Sequence, residues 1–234
     1  MKVDLNEIRM RRGIYLLPNL LTICCLFGGF YAIVASIDGN FERATVAIFV
    51  AMIFDGLDGR VARLMGTETA FGKEFDSLAD MVAFGLAPAV VCYQWGVERI
   101  AEYGLAWWRF GWIAAFFYAA AVALRLARFN TNIDVVDKRF FQGLPSPAAA
   151  ALVAGLVLAM SEYQVRGADV KWLAWGLTLV AGLTMVSNLR FYSGKDINLR
   201  KSVPFSAVVA IALGFVLLIS FAGTLPEILF ALFG

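Results

Sequence analysis

Four aspartates within apolar sequence are the residues best able to do chemistry in this chain. Asp55 and Asp58 follow the apolar run ATVAIFVAMIF, and Asp76 and Asp80 lie at the start of the run DSLADMVAFGLAPAVV. A charged side chain at the centre of a bilayer costs roughly 2.5–3.5 kcal/mol on insertion scales, so four of them need compensation. Oxygen-only ligands favour hard ions such as magnesium, manganese or calcium. The sequence therefore predicts a metal site, with two ions sharing carboxylates as in phosphoryl-transfer centres.

The spacing of the aspartates predicts that they meet across a helical hairpin. Asp55 and Asp58 are three residues apart and Asp76 and Asp80 are four apart, so each pair shares one face of a helix. A short turn near residues 66–69 would bring the two helices together. Four converging carboxylates repel one another unless cations lie between them, which supports the metal prediction.

The residues between the two pairs suit a phosphate-bearing ligand. Gly59 and Gly72 have no side chain, so a ligand can approach the backbone. Ala62 is small and shares the face of the first pair, and Arg63 can donate two hydrogen bonds to a phosphate. A lone glycine in a membrane helix usually serves packing, and a lone arginine at a helix end usually extends to the membrane surface. The combination with four aspartates is what indicates a phosphate site.

The composition indicates an all-α integral membrane protein. The chain has 234 residues, of which 61% are hydrophobic, and its mean hydropathy is +0.74. Its long apolar runs do not alternate as barrel strands do, so they predict helices. The absence of histidine excludes a Ser-His triad and histidine metal ligands. Cys24, Cys25 and Cys92 have neither zinc nor protease spacing and are expected to be buried small hydrophobes.

Runs of about 20 apolar residues predict about eight spans in one domain, residues 1–234. A six-helix core, residues 15–189, is expected from spans at 15–37, 44–64, 75–95, 107–129, 146–162 and 171–189. A C-terminal part, residues 204–234, adds spans at 204–221 and 226–234, the last of them short. Residues 1–14 lack a signal-peptide cleavage site and predict an interfacial helix.

The basic residues predict the orientation. With the N-terminus in the cytoplasm, most of the 20 lysines and arginines lie on the cytoplasmic side. The exceptions are Arg43, Arg99, Arg109, Arg166 and Lys171. The positive-inside rule thus places the aspartates at the cytoplasmic face, and a bacterial inner membrane is the expected location of this multi-pass protein. No nucleic-acid partner is expected.

The aspartate segment resembles the signature of the CDP-alcohol phosphatidyltransferases. The pattern Asp-x2-Asp-Gly-x2-Ala-Arg-x8-Gly-x3-Asp-x3-Asp is matched without departure at Asp55, Asp58, Gly59, Ala62, Arg63, Gly72, Asp76 and Asp80. The resemblance implies a six-helix core, a homodimer and two divalent ions, Mg²⁺ or Mn²⁺, bound by the four aspartates. It also implies that a hydroxyl attacks the lipid-bearing phosphorus of a CDP-linked lipid and that CMP leaves.

The same resemblance implies roles for single residues. Asp80 would bind metal and also act as the general base for the acceptor hydroxyl. The residues implied to line the nucleotide and diphosphate are Asn19, Thr22, Gly59, Ala62, Arg63 and Gly72, with Pro18 beside them. Taken alone, Asn19 and Thr22 are simply polar residues in a helix. The lack of a candidate Cys or His nucleophile favours direct in-line transfer, while an aspartyl or seryl intermediate stays open.

A second polar segment, RLARFNTN at 125–132, bears on the acceptor. Arg125 and Arg128 are three residues apart and share a face at the cytoplasmic end of the fourth span. The positive-inside rule alone accounts for arginines there, and a site for an acceptor carboxylate or phosphate is the functional alternative. The following FFQGLPSPAAAA has the prolines of a helix start, with Ser146 as its cap.

These two segments and the C-terminal spans resemble the phosphatidylserine synthase branch of the family. That branch implies CDP-diacylglycerol and L-serine as substrates in membrane lipid, with the serine carboxylate held by Arg125, Arg128 and Asn130. Glycerol 3-phosphate and an inositol phosphate are alternative acceptors, because they also need cationic pockets. A divalent-ion transporter is the alternative from another class, since intramembrane carboxylates also mark ion paths. Against it, the carboxylates cluster in one half of the chain, whereas transporters often carry repeats in both.

Overall fold

A computed structural model of the chain describes residues 5–131, 140–187 and 190–192. Its helices are α1 (Leu5–Ile37), α2 (Phe41–Met65), α3 (Ala70–Asp80), α4 (Ala87–Trp95), α5 (Leu105–Thr131), α6 (Ser146–Glu162) and α7 (Lys171–Val186). A π-helical turn, Met81–Leu86, joins α3 to α4, and a 3-10 helix, Val97–Tyr103, precedes α5. Two three-residue strands, β1 (Phe140–Gln142) and β2 (Arg190–Tyr192), pair in antiparallel register. The prediction of a helical protein is confirmed.

Helices occupy the positions of all six predicted core spans. The third begins at Ala70 rather than at residue 75, and the sixth ends at Val186 rather than at 189. Within the described residues, three stretches are long and apolar enough to cross a membrane: Leu17–Ile37, Ala70–Trp95 and Leu105–Thr131. The helices α6 and α7 are apolar but shorter. These lengths and compositions are those of an integral membrane protein.

Two predicted features fall partly or wholly outside this description. The C-terminal spans at 204–221 and 226–234 lie outside the described residues. The predicted interfacial helix of residues 1–14 is described from Leu5 onward, where its backbone belongs to the continuous helix α1. Its interfacial position stays a prediction.

The turn between α2 and α3 forms as the sequence predicts. Gly66 ends α2 in the left-handed conformation, with φ at 60°, where glycine is favoured. Thr69 precedes α3, and its Oγ1 accepts a hydrogen bond from the Gly72 N–H at 2.9 Å, which satisfies a free donor of the first helical turn. The helix α1 packs against both arms of this hairpin.

Small residues hold α1 close to the chain just beyond Asp80. A Cβ added to Gly29 of α1 would lie 2.5 Å from the Ala83 Cα in the π turn, and one added to Gly28 would lie 3.0 Å from the Ala51 Cβ. Membrane helices gain van der Waals contact from such small residues. The helices that carry aspartates are therefore packed tightly around α1.

The π turn has a polar contact of its own. The Ala87 N–H bonds to the Val82 carbonyl five residues back. The Phe84 carbonyl accepts a hydrogen bond from the hydroxyl of buried Tyr118, on α5, at 3.1 Å. This contact anchors the turn to α5.

Aromatic side chains gather at one end of the bundle, here called the aromatic end: Tyr103, Trp107, Trp172 and Trp175. The rings of Trp107 and Trp172 have centroids 5.4 Å apart, and those of Tyr103 and Trp172 are 5.9 Å apart. Tryptophan and tyrosine are enriched where proteins meet the membrane–water interface. Along α5, Trp107 and Arg125 are separated by about 27 Å at 1.5 Å per residue, which approaches the thickness of a bilayer core.

Candidate active site

Three of the four aspartates converge at the other end of the bundle, here called the carboxylate end (Asp55, Asp58, Asp76 and Asp80). One carboxylate oxygen each from Asp55, Asp76 and Asp80 lies within 4.8 Å of the others. The carboxyl groups of Asp55 and Asp80 are within hydrogen-bonding reach of each other. Carboxylates this close repel unless a proton or a cation lies between them.

Asp80 carries the observation that tests whether a metal fits here. Its Oδ1 is buried and has no hydrogen-bond partner among the described residues. A buried acceptor left unpaired costs about 1–3 kcal/mol, so a ligand that completes its bonding is expected. Clustered oxygen donors are the preferred ligands of hard divalent ions. The residues present therefore fit a divalent metal.

The fourth aspartate, Asp58, lies beside this cluster and is attached to α1. It is buried, and its Oδ2 accepts a hydrogen bond of 2.7 Å from the Thr22 hydroxyl. Thr22 is itself buried. The hydroxyl that the sequence reading placed in the nucleotide pocket thus also orients a predicted metal ligand.

A cavity of about 520 Å³ opens beside Asp58 and Asp76. Its wall contains all the residues predicted to line the nucleotide and diphosphate: Pro18, Asn19, Thr22, Gly59, Ala62, Arg63 and Gly72. The sequence reading did not single out six further lining residues: Thr67, Glu68, Thr69, Ala70, Lys73 and Phe129. Five of these six lie in the hairpin between the aspartate pairs, which was the available signal.

The glycines of the cavity wall expose backbone beside polar side chains. A Cβ on Gly59 would lie 3.5 Å from the Arg63 Nη1. A Cβ on Gly72 would lie 3.1 Å from the Thr69 Oγ1 and 3.7 Å from the Asn19 Oδ1. The Arg63 guanidinium thus lies next to bare backbone, an arrangement that suits an anionic group.

Arg125 on α5 faces the carboxylate end. Its Nη1 donates a hydrogen bond of 2.8 Å to the Ser146 Oγ, and the charge of Asp80 acts on its guanidinium. Ser146 was predicted to cap α6, and this is wrong: the cap is Pro145, and Ser146 is the first helical residue. Its hydroxyl serves Arg125 instead.

Arg128 makes different contacts from Arg125. Its Nη1 and Nη2 donate to the carbonyls of Val186 and Met185 at 3.4 and 3.3 Å, where α7 ends. Gly143, with φ at 79°, lies against the same place, and a Cβ there would collide with the Met185 carbonyl. A cation at a helix C-terminus satisfies free carbonyls, so these contacts are structural. A role of Arg128 in acceptor binding stays a prediction.

Asn130 connects α5 to the helix that carries Asp76 and Asp80. Its Nδ2 donates a hydrogen bond of 3.0 Å to the Ser77 Oγ. The Ser77 hydroxyl in turn donates to the Lys73 carbonyl at 3.1 Å. The sequence reading missed Ser77, whose only signal was its place next to Asp76. Asn130 thus holds α3 in position, and contact with the acceptor stays a prediction.

The arrangement combines clustered carboxylates, a cavity with Arg63 in its wall and a second arginine near Asp80. Comparison with known proteins accords with this chemistry. The sequence pattern of the CDP-alcohol phosphatidyltransferase family matches residues 15–187, which include the aspartates, the cavity and Arg125.

Three similar proteins carry the name CDP-diacylglycerol–serine O-phosphatidyltransferase. The one from Helicobacter pylori is 37% identical over 203 residues, which cover 87% of this chain and 83% of the relative. The one from Mycobacterium leprae is 38% identical over 186 residues, 76% of this chain and 58% of the relative. The one from Saccharomyces cerevisiae is 35% identical over 167 residues, 65% and 57%. The chain belongs to the CDP-alcohol phosphatidyltransferase family.

Proposed function

We propose that the protein transfers the phosphatidyl group of CDP-diacylglycerol to the hydroxyl of L-serine, giving phosphatidylserine and CMP. The names of the relatives from three distant organisms support serine as the acceptor. The single observation in the structure that carries the proposal is the buried, unpartnered Oδ1 of Asp80 within the aspartate cluster. The family match favours this chemistry over the divalent-ion transporter alternative.

In the proposed reaction a new bond forms between the serine hydroxyl oxygen and the phosphatidyl phosphorus. The bond from that phosphorus to the CMP oxygen breaks, and CMP leaves with the electron pair. Asp80 accepts the hydroxyl proton, because a serine hydroxyl is a poor nucleophile near pH 7 without a base. Arg63 donates hydrogen bonds to the diphosphate, and Arg125 pairs with the serine carboxylate.

Members of this family use divalent metal, and the donor set here suits Mg²⁺ or Mn²⁺ at two sites. The residues that would hold the ions are Asp55, Asp58, Asp76 and Asp80. When bound, the ions neutralise the diphosphate and the charge that develops on departing CMP. Thr22 supports such a site from α1, because its hydrogen bond fixes the Asp58 carboxylate.

The remaining expectations form part of the same proposal. The carboxylate end faces the cytoplasm of a bacterial inner membrane, in a single domain of about eight spans with an interfacial N-terminal helix. The chain acts as a homodimer. In support of the orientation, the predicted topology places all but five of the 20 lysines and arginines on the side of the carboxylate end. Glu68→Cys should resist a membrane-impermeant thiol reagent applied to intact spheroplasts, whereas Tyr163→Cys should react.

An acceptor panel tests the proposed function directly. Purified protein is given CDP-diacylglycerol with L-serine, glycerol 3-phosphate or an inositol phosphate, and CMP release and lipid products are measured. We expect phosphatidylserine from serine alone. Turnover only with glycerol 3-phosphate would remove serine as the acceptor, and no CMP release with any alcohol, with either metal present, would remove the reaction.

A further inference from the structure

Ser146 makes a contact that its place in the helix does not require. It is the first residue of α6, and the N-cap of that helix is Pro145, which makes no side-chain capping hydrogen bond. It is fully buried, and its Oγ accepts from the Arg125 Nη1 at 2.8 Å. A buried hydroxyl that holds one nitrogen of a guanidinium fixes the plane of that group, because the guanidinium fork is rigid.

The bond at Nη1 leaves the other edge of the guanidinium for a ligand. The Arg125 Nε is buried and has no hydrogen-bond partner among the residues that the structure describes. The pair formed by Nε and Nη2 is one of the two edges through which arginine binds a carboxylate with two parallel hydrogen bonds. The Nε donor of this edge is therefore short of an acceptor.

An acceptor without a donor lies in the same part of the site. The Asp80 Oδ1 is buried without a partner in the described chain, and the charge of Asp80 acts on Arg125. Donor and acceptor are not satisfied by each other. A ligand with a hydroxyl at one end and a carboxylate at the other would satisfy both.

We propose that Ser146 is a positioning residue for acceptor choice: it orients Arg125 so that the Nε edge binds the carboxylate of the acceptor while Asp80 takes the hydroxyl proton. The favoured acceptor class is a small hydroxy acid such as L-serine. Alcohols without a carboxylate are disfavoured, because they leave a buried donor unpaired. This inference rests on the proposed function and extends it to a residue outside the aspartate motif.

Ser146→Ala in the full-length purified protein tests the inference. We expect the KM for L-serine to rise about 10- to 20-fold, the lower end of the range for loss of one hydrogen bond to a charged group, and the KM for CDP-diacylglycerol to change less than about 2-fold. The matched control is Ser161→Ala, the same change at the other end of α6, which should leave both constants unchanged.

A competition assay supplies a second readout that a merely structural role would not move. L-Serine and serinol, which carries a hydroxymethyl group in place of the carboxylate, are offered together, and the two lipid products are measured by mass spectrometry. We expect Ser146→Ala to shift the product ratio toward the serinol lipid. Because the ratio reports only on active molecules, a lower yield of folded protein does not change it.

Two outcomes would overturn the inference. One is an unchanged serine KM and product ratio in Ser146→Ala, and the other is an equal rise in the KM of both substrates. A double variant with Arg125→Ala should show no further loss beyond Arg125→Ala alone, because both changes remove one interaction. A wild-type protein that does not use serine would instead refute the proposed function.

Discussion

The two ends of the bundle differ in whether their charged side chains have partners within the protein. At the aromatic end, the Lys171 Nζ lies 2.7 Å from the Glu102 Oε2, and the Trp175 Nε1 donates to the Phe110 carbonyl at 3.1 Å. At the carboxylate end, the Asp80 Oδ1 and the Arg125 Nε are buried and unpartnered among the described residues. The only other buried side-chain atom of this kind in the described ranges is the uncharged Gln94 Oε1.

This difference indicates that the aromatic end anchors the protein and that the carboxylate end carries out its chemistry. The ion pair of the aromatic end is complete within the protein, and this end suits a fixed position at the membrane surface. The carboxylate end holds charges that the chain itself leaves incomplete, at a cost of about 1–3 kcal/mol for each unpaired group. Such groups are tolerated where a ligand completes their bonding. Substitutions at the carboxylate end should therefore change turnover, and matched ones elsewhere should not.

The largest expected effect comes from the proposed base. Asp80→Asn should lower kcat by about 10³-fold, within the range for loss of a general base, while CDP-diacylglycerol binding is largely kept. Turnover is measured as CMP release and binding as retention of radiolabelled lipid. The control is Asp169→Asn, which removes an exposed ion pair with Arg166 and should leave kcat unchanged. Undiminished turnover in Asp80→Asn would exclude the base role.

The contact from Thr22 to Asp58 should give the next largest effect. Thr22→Val keeps the side-chain shape but removes the hydroxyl, and we expect the divalent-ion concentration needed for half-maximal activity to rise about 10-fold. Thr178→Val is the control, because Thr178 is equally buried in α7 and bonds to the Ala174 carbonyl of its own helix. Equal metal requirements in the two variants would show that Thr22 does not orient a ligand.

A smaller effect is expected from the link between α5 and α3. Asn130→Ala removes the hydrogen bond to Ser77 and should lower kcat/KM about 5-fold, as for one neutral hydrogen bond. Ser77→Ala should act to the same extent, and the double variant no more strongly. The control is the neighbouring Thr131→Val, whose hydroxyl bonds within its own helix. Additive losses would indicate that Asn130 and Ser77 act separately.

The smallest effect is expected at the aromatic end. The hydrogen bond and charge of Lys171 lower the pKa of the exposed Glu102 below its usual 4.5. A depressed carboxyl pKa stabilises the fold above the ordinary value, and the contribution is lost as pH falls through the folded pKa. Glu102→Gln should therefore lower Tm slightly at pH 7 and not at all once the pH has fallen below the folded pKa of Glu102, with kcat unchanged. A difference in Tm that persists in acid would rule out this pair as its cause.

Local signals in the sequence were enough to predict the hairpin and its contents. Gly66 and Thr69 terminate and begin helices by rules that act within a few residues, and the aspartate spacings follow from helical periodicity. Part of the cavity wall followed from the motif, and Asn19 and Thr22 followed from the family resemblance. The predictions for the hairpin needed no knowledge of how distant helices pack.

The contacts that sequence reasoning missed all depend on tertiary packing. Arg125 and Ser146 are 21 residues apart, and Asn130 and Ser77 are 53 apart. Arg128 binds main-chain carbonyls, which no pattern of side chains reveals. For these reasons Arg125 and Arg128, which the sequence does not distinguish, have different hydrogen-bond partners in the structure.

The π turn at Met81–Leu86 sets the orientation of α3 relative to α4. Its additional residue rotates all that follows by about 100° relative to an unbroken α-helix. The helix before the turn, which carries Asp76 and Asp80, and the helix after it, α4, therefore differ in rotation about their common axis. Loss of a single residue from the turn would swing the carboxylates away from their partners without altering any of them. The number of residues in the apolar stretch after Asp80 therefore matters as well as their packing against α1 and α5.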